Sequence, residues 1–579
     1  MKPRRPLALV LLLLVLLLGC SFDQGAVPTI ANACGGNSGC AEGVCDGSIC
    51  IDDSGATVDL AIEVLHGATE MQVVTPASWA FAAAPATGSI SRDLVLPATR
   101  QVLGKVRWDG ARVPATLRFI RKMDQAVAAL APVPIEVDTL REPLGADGSD
   151  LDDFSAILVA GATYDLLVLP SSDTVPVSVQ EAAPAIRTLP PLYLELAIDS
   201  GDASEPFRVD VSFPPGLAQD CTDDRDIGCT FSAEIVSFDD ETQLELPEAG
   251  LQVRAIDEQS GRVVSSIAET DAAGRFAIRI SEDASDYLIR VTSSAGRPSF
   301  PAVTVDPDVV FANSPDKKVV SIPRLAAIQV TGEVRDRLGR AVPLATVRFV
   351  SAGIFGGSQP GLVGSFSSST TTNQDGSFGK ELLTGFYSIT VTPPEDIEND
   401  WGALSDSSVV DEERTSVGAL IVPWQLGLRG TVSTFREERA AGVTVLARAR
   451  SAMDTGAVNT SQETVSGDLG DFAMSVDIGL YDVQVKVPAD SGYAWLVEPD
   501  LLMSLEKGDL EKDYRLAPPV AVYGVIRSSD GEAVPNALVR GHLFNNGVDG
   551  TSRPLQVAES LSREDGSYRL LIQPFFGAE

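Results

Sequence analysis

The sequence predicts an all-β chain, a tandem array of small antiparallel β-sandwich domains, and three observations carry that expectation. A degenerate repeat runs through it: a strand with Gly-x-Val, a Val-Pro turn, an Asp-Gly or similar turn before an aromatic, then a strand bearing Tyr. Between turns, apolar and polar residues alternate with period two, as half-buried strands require. Asp-Gly pairs at 109–110, 375–376, 530–531 and 565–566 supply residues that tolerate the positive φ of tight hairpins.

The clearest copy runs from Gly332-Glu333-Val334 through Val342-Pro343 and Asp375-Gly376-Ser377-Phe378 to Gly385-Phe386-Tyr387. Ahead of it, Gly104 leads to Phe154 and Tyr164, and a weaker copy without the opening Gly keeps Asp271, Gly274, Phe276 and Tyr287. Behind it, Gly430 leads to Phe472 and Tyr481, and Gly524 leads to Val534-Pro535 and Asp565-Gly566-Ser567-Tyr568. The copy near Phe472 has Ala440-Ala441-Gly442-Val443 in place of the Val-Pro turn. From Gly to aromatic the distance is 50 residues (104 to 154), 46 (332 to 378), 42 (430 to 472) and 44 (524 to 568). Surface-loop insertions produce that scatter around one structural unit. Tyr481-Asp482-Val483-Gln484-Val485-Lys486-Val487 shows the alternation most cleanly, its odd positions expected to face a core.

On these residues the chain resembles the carboxypeptidase regulatory-like domain family, whose members are transthyretin-like β-sandwiches, over most of residues 100–579. The resemblance implies accessory, adhesive or carbohydrate-associated modules and carries no activity with it. The expected organisation is a signal peptide at 1–19, a Cys-rich spacer at 20–56 and a strand-rich segment at 57–99. Repeats follow at 100–190, 191–327 (degenerate), 328–423, 424–518 and 519–579 (incomplete).

The amino terminus places Lys2, Arg4 and Arg5 before an apolar run from Leu7 to Leu18, which ends in Leu17-Leu18-Gly19-Cys20. A basic stretch followed by a short apolar run fits a secretory signal, and the run is short for a membrane-spanning helix. The segment resembles a bacterial lipoprotein signal with its lipobox. The resemblance implies acylation of Cys20, a membrane partner through the lipid, and, from Ser21 at the next position, placement at the outer membrane or cell surface. Six cysteines remain: Cys34, Cys40, Cys45 and Cys50 in the spacer, and Cys221 and Cys229 in an Asp-rich loop. Three disulfides are the expected count in an oxidising compartment, with the pairing of the first four left open. Zinc is the weaker alternative, because C-x5-C-x4-C-x4-C lacks close Cys pairs and no His lies nearby.

At 579 residues the chain needs several cores. A formal net charge of -36 opposes a nucleic-acid partner, since it repels phosphate. The two histidines, His66 and His542, lie in separate expected modules, and neither begins an H-x-x-E zinc motif. No G-x-S-x-G elbow, phosphate-binding loop or dinucleotide fingerprint occurs, so an enzyme is not expected.

Two groups of residues merit a ligand. Asp147, Asp150, Asp152 and Asp153 crowd around Gly148 and read first as a solvated turn, with a calcium site as the alternative. Asp220, Asp223, Asp224 and Asp226 around Cys221 share that ambiguity. The five tryptophans, Trp79, Trp108, Trp401, Trp424 and Trp495, each read first as core or interface; Trp401, in the polar stretch Glu398-Asn399-Asp400-Trp401-Gly402, is the best candidate among them for an exposed ring that stacks on a sugar, the alternative reading. Envelope proteins and polysaccharide are the candidate partners, and the residues do not choose between them. Short Pro-ended junctions, Leu94-Val95-Leu96-Pro97, Val320-Ser321-Ile322-Pro323 and Leu420-Ile421-Val422-Pro423, each read as a last strand and favour an extended, semi-rigid stalk. The final copy runs from Gly524 past Tyr568 without the Tyr strand expected next. Either strands from elsewhere complete it or the sequence is part of a longer chain.

Overall fold

The computed structural model describes residues 44–46, 49–51, 57–65, 76–85, 89–122, 133–139, 152–171, 189–201, 205–223, 226–239, 244–293, 300–311, 318–354, 361–394, 400–450, 460–488, 491–546 and 552–573. Its strands assemble into β-sandwiches of one plan, clearest in the third repeat. The first strand, Ala327–Arg335, is flanked by the fourth, Ser377–Leu383, antiparallel, and by the seventh, Ser416–Ile421, parallel. The facing sheet runs third, second, fifth, sixth: Leu362–Thr371, Thr346–Ala352, Gly385–Thr392 and Leu404–Val410. Val330, Val334, Val347, Phe349, Phe378, Tyr387 and Ile389 meet between the sheets.

Each element of the sequence repeat has a physical cause in this plan. The opening glycine lies where the seventh strand passes closest. A Cβ on Gly104 would stand 2.0 Å from the Val209 carbonyl oxygen, and one on Gly430 would stand 1.9 Å from that of Lys512. Directly across the first sheet the glycine faces the repeat's aromatic, in the pairs Gly104–Phe154, Gly332–Phe378, Gly430–Phe472 and Gly524–Tyr568. In the degenerate second repeat Ala233 holds the same place opposite Phe276.

The turn glycine adopts φ +78 at Gly376, and its carbonyl accepts a hydrogen bond from Val334 N at 2.8 Å. Ile235 N–Gly274 O, Val432 N–Gly470 O and Ile526 N–Gly566 O repeat that bond. A hydroxyl just before the turn accepts a backbone N–H in every sandwich: Thr139 from Ala115, Thr270 from Leu251, Thr372 from Ala345, Ser466 from Val443 and Ser562 from Ala537. Where the fourth repeat departs from Val-Pro, Ala440 N still donates to Val432 O at 3.0 Å, as Val342 N does to Val334 O.

The recurring tyrosines are buried in the core. Tyr387 Oη donates to Leu383 O at 2.8 Å and Tyr481 Oη to Asp477 O at 3.0 Å, so each hydroxyl is satisfied by the turn that leads into its own strand. Tyr164 instead accepts from Val159 N at 2.9 Å. Phe349 packs 6.0 Å from Phe378 and edge-on to Tyr387, an aromatic triad matched by Phe119, Phe154 and Tyr164 in the first repeat.

The observed boundaries differ from three of those expected. Leu192–Ala197 and Phe207–Phe213 are the sixth and seventh strands of the first sandwich, which passes the expected limit at 190. The second sandwich opens with Thr230–Asp239, not at 191. Residues 57–99 are not a separate segment. Thr57–Leu65 pairs antiparallel with Leu538–Asn546, Ala77–Pro85 pairs with Thr57–Leu65, and Ser89–Ser91 and Leu94–Val95 run parallel to Val520–Arg527. These are the fifth, sixth and seventh strands of the last sandwich, whose first four are Val520–Arg527, Leu538–Asn546, Ser552–Leu561 and Ser567–Ile572. The two ends of the array therefore share one core, and the expected extended stalk is instead a closed circuit of five sandwiches.

Two predictions follow from the repeat geometry. Gly430→Ala places a methyl against Lys512 O, and displacing that strand costs about 3 kcal/mol; hydrogen exchange of the Lys512 amide, which donates to Arg429 O at 2.8 Å, is expected to quicken about a hundredfold while amides of the first repeat hold their rates. The carboxyls of Asp375, Asp513 and Asp565 are held below the usual range by the hydroxyls, and then the amides, of Ser377, Thr431 and Ser567. A lowered folded pKa gives stability that is present above the unfolded value of about 3.9 and is lost as pH falls through the folded value. Thermal midpoints are thus expected to be flat from about pH 7 to 5 and to drop below about pH 4; a midpoint that rises on acidification contradicts this.

Candidate functional site

The chain's distinctive geometry lies at its junctions, where consecutive sandwiches share side chains or whole strands. Between the first and second, the Arg279 guanidinium stands 4.6 Å over the Trp108 ring, and Arg262 lies 4.5 Å over Tyr193, whose hydroxyl donates to Val263 O. Burial of Arg279 pulls its pKa down to about 10, still leaving it cationic at neutral pH. Between the second and third, Ala302–Val305 pairs with Leu362–Ser365, fusing two sheets into one of eight strands.

Between the third and fourth, the buried Asp477 carboxylate gathers both sides: it accepts from Ala403 N at 3.1 Å, Gln425 Nε2 at 3.2 Å and Thr460 Oγ1 at 2.9 Å. Between the fourth and fifth, Arg553 pairs with Asp482 and Asp500, and the Gln573 amide both accepts from Val497 N and donates to Val497 O. Val497 enters the core of the last sandwich.

The closure itself reproduces the seventh-strand seat of the fourth repeat residue by residue. There, Lys512 N donates to Arg429 O at 2.8 Å and Asp513 accepts from Thr431 N at 2.8 Å. In the last sandwich Arg92 N donates to Tyr523 O at 2.8 Å and Asp93 accepts from Val525 N at 2.9 Å. Arg92 O would lie 2.0 Å from a Cβ on Gly524, as Lys512 O lies 1.9 Å from one on Gly430. Tyr568, which replaces the phenylalanine of the other copies, donates its hydroxyl to Arg92 O at 2.7 Å. Leu60, Ile62, Val64, Ile90, Leu94 and Leu96 fill the core beside Val522, Ile526, Val539, Tyr568 and Ile572.

A polar cleft of about 730 Å³ opens beside the junction of the third and fourth repeats, with Asp400, Trp401, Gln425, Arg429, Thr460 and Asp509 among its walls. Trp401, the candidate for an exposed ring, is 9 % exposed and belongs to the core of the third repeat, the first of its two readings. Asp400, at φ +44, precedes it, and the Trp401 backbone forms an antiparallel β-bridge with Trp424. No sugar-stacking platform exists at that residue.

Of the Asp147, Asp150, Asp152 and Asp153 group, the first two lie outside the described residues. Asp152 pairs with Arg208 at 2.7 Å. Asp153 is buried, accepts from Val106 N at 3.0 Å and pairs with Arg107 and Arg112. It thus supplies the acceptor that a turn-glycine carbonyl supplies in the other repeats, and the two guanidinium groups balance its charge, an account of this carboxylate that involves no metal ion. Cys221 and Cys229 form a disulfide. Cys45 and Cys50 are opposite partners in a hairpin of Val44–Asp46 and Ile49–Ile51, while Cys20, Cys34 and Cys40 lie outside the described residues. Arg92-Asp93 was legible as a site only by its match to Lys512-Asp513, each three residues before a leucine that precedes proline or Ala-Pro.

No family model and no curated protein matches the chain. Among solved structures it is similar to a Streptococcal ancillary pilin, at 11% identity over 57% of this chain and 99% of that one, with a TM-score of 0.19. The TIE protein of Bacillus anthracis aligns at 8% identity over 70% of this chain and 68% of that one, with a TM-score of 0.16. The major pilin subunit BcpA of Bacillus cereus aligns at 11% identity over 50% of this chain and 99% of that one, with a TM-score of 0.15. Likeness this distant carries nothing about function.

Asp477→Ala leaves four donor groups of the third and fourth repeats without their acceptor, at a cost of about 2 kcal/mol. Hydrogen exchange at Ala403, whose amide donates to Asp477, is expected to quicken more than tenfold, with the first repeat unchanged; equal rates in both proteins would remove Asp477 from the junction's support.

Proposed function

We propose that this protein is a non-enzymatic structural or adhesive component of the cell envelope, built from carboxypeptidase regulatory-like sandwiches and held to a membrane by an acylated Cys20. The observation that supports this best is the continuity of the junctions: a shared sheet, buried Asp477 and the Arg553 pairs tie neighbouring sandwiches together. Such coupling suits a body that bears or presents surface, because relative motion of modules is otherwise the default. The disulfide at Cys221–Cys229 accords with an oxidising, exported setting.

A polysaccharide-binding role is the second reading, and it now rests on the polar cleft between the third and fourth repeats instead of on Trp401. Arg429, Gln425 and Thr460 offer donors there, and Asp400 and Asp509 offer acceptors.

Metabolic labelling with a radioactive fatty acid tests the anchor. Wild type is expected to carry label and to sediment with membranes, and Cys20→Ala to lose both. A Cys20→Ala chain that keeps label at unchanged mass would falsify the lipoprotein assignment.

A further inference from the structure

The last sandwich is assembled from two segments that touch only through non-covalent contacts, although 432 residues separate Asp93 from Val525 and 476 separate Arg92 from Tyr568. Each half by itself bares apolar surface to water. Without residues 57–96, the strand Val520–Arg527 exposes the edge next to Gly524, and Val522, Ile526, Val539 and Leu543 lose their cover. Without the acceptor, Leu60, Ile62, Val64, Ile90 and Leu94 form a bare apolar set. An open edge beside an apolar face demands a partner strand.

The seat is selective: it takes a parallel strand with a backbone carbonyl over Gly524, an acceptor carboxylate for Val525 N, and leucines at the Leu94 and Leu96 positions. A second copy of the same chain offers a donor that meets every one of these requirements. We infer that copies of this chain link head to tail by exchange of residues 57–96, each copy filling the half-sandwich at 520–573 of the next. The contact is heterologous, since one copy's donor meets another's acceptor, so it propagates into open chains or larger rings. Own-chain closure wins at low concentration, and exchange wins once neighbours exceed the effective concentration of the tethered donor.

Ser91 and Tyr523 are exposed Cα partners in the parallel pair, so cysteines at the two positions lie within disulfide reach without disturbing the core. Full-length chains carrying Ser91→Cys alone and Tyr523→Cys alone are mixed, unfolded in denaturant, refolded together at rising concentration and oxidised. A covalent dimer containing one of each, increasing with concentration, is the expected result. Only monomers, whether or not the doubly substituted chain closes its own disulfide, would overturn exchange.

A second pair works without refolding. Gly524→Val blocks the seat while leaving a free donor, and Ile62→Asp disables the donor while leaving a free acceptor. Equimolar mixing is expected to give a one-to-one complex by light scattering, and two non-interacting species would count against the inference.

Discussion

The structure depends on one close approach: a parallel seventh strand laid against a glycine of the first. That contact turns a two-stranded sheet into three strands and joins the end of each repeat to its beginning. The exit of the chain, and so the position of the next sandwich, follows from it. Because a methyl at Gly104, Gly430 or Gly524 would fall about 2 Å from a carbonyl oxygen, no other residue fits without moving the strand. The second repeat shows the tolerance limit, with Ala233 in that place and its seventh strand, Val319–Pro323, pairing from the neighbouring Glu234 onward.

Charge is organised against the average. Acidic residues outnumber basic ones, 80 to 44, yet arginines occupy the places where modules meet or where a turn lacks its usual acceptor. Arg279 covers Trp108, Arg553 joins Asp482 to Asp500, and Arg107 and Arg112 neutralise the buried Asp153. Guanidinium groups suit these sites because a planar fork can stack on a ring or bridge two carboxylates, which an ammonium does less well. The excess negative charge is left to the solvent-facing surface, where it favours solubility.

The fold was legible because its determinants are local. Period-two alternation, turn glycines with positive φ, and a tyrosine whose hydroxyl bonds a few residues upstream all act within a span of ten residues or so. The contribution of residues 57–99 was not legible as such, since strand pairing across more than four hundred positions leaves no periodic trace. Its signal was present in pieces: Leu94-Val95-Leu96-Pro97 looked like a last strand, and the final copy wanted three. Trp401 shows the limit of composition: the polar stretch around it describes the loop, while the ring belongs to the core of the third repeat.

Synthesis proceeds from the amino end, so Thr57–Leu65 and Ala77–Pro85 emerge before the four other sandwiches and their partners at Val520–Arg527 and Leu538–Asn546 emerge after them. Four sandwiches can mature along the way, because their strands are contiguous in sequence. The fifth must wait for all four, and it closes a loop of very high contact order, the slowest class of folding event. Throughout that interval an apolar hairpin stands unpaired, exposed to proteases, to chaperones and to its neighbours on other nascent chains. Completion of this one sandwich is therefore a checkpoint on the four sandwiches that lie between its two segments, since a chain cut short before Val520 leaves Thr57–Leu65 and Ala77–Pro85 unprotected.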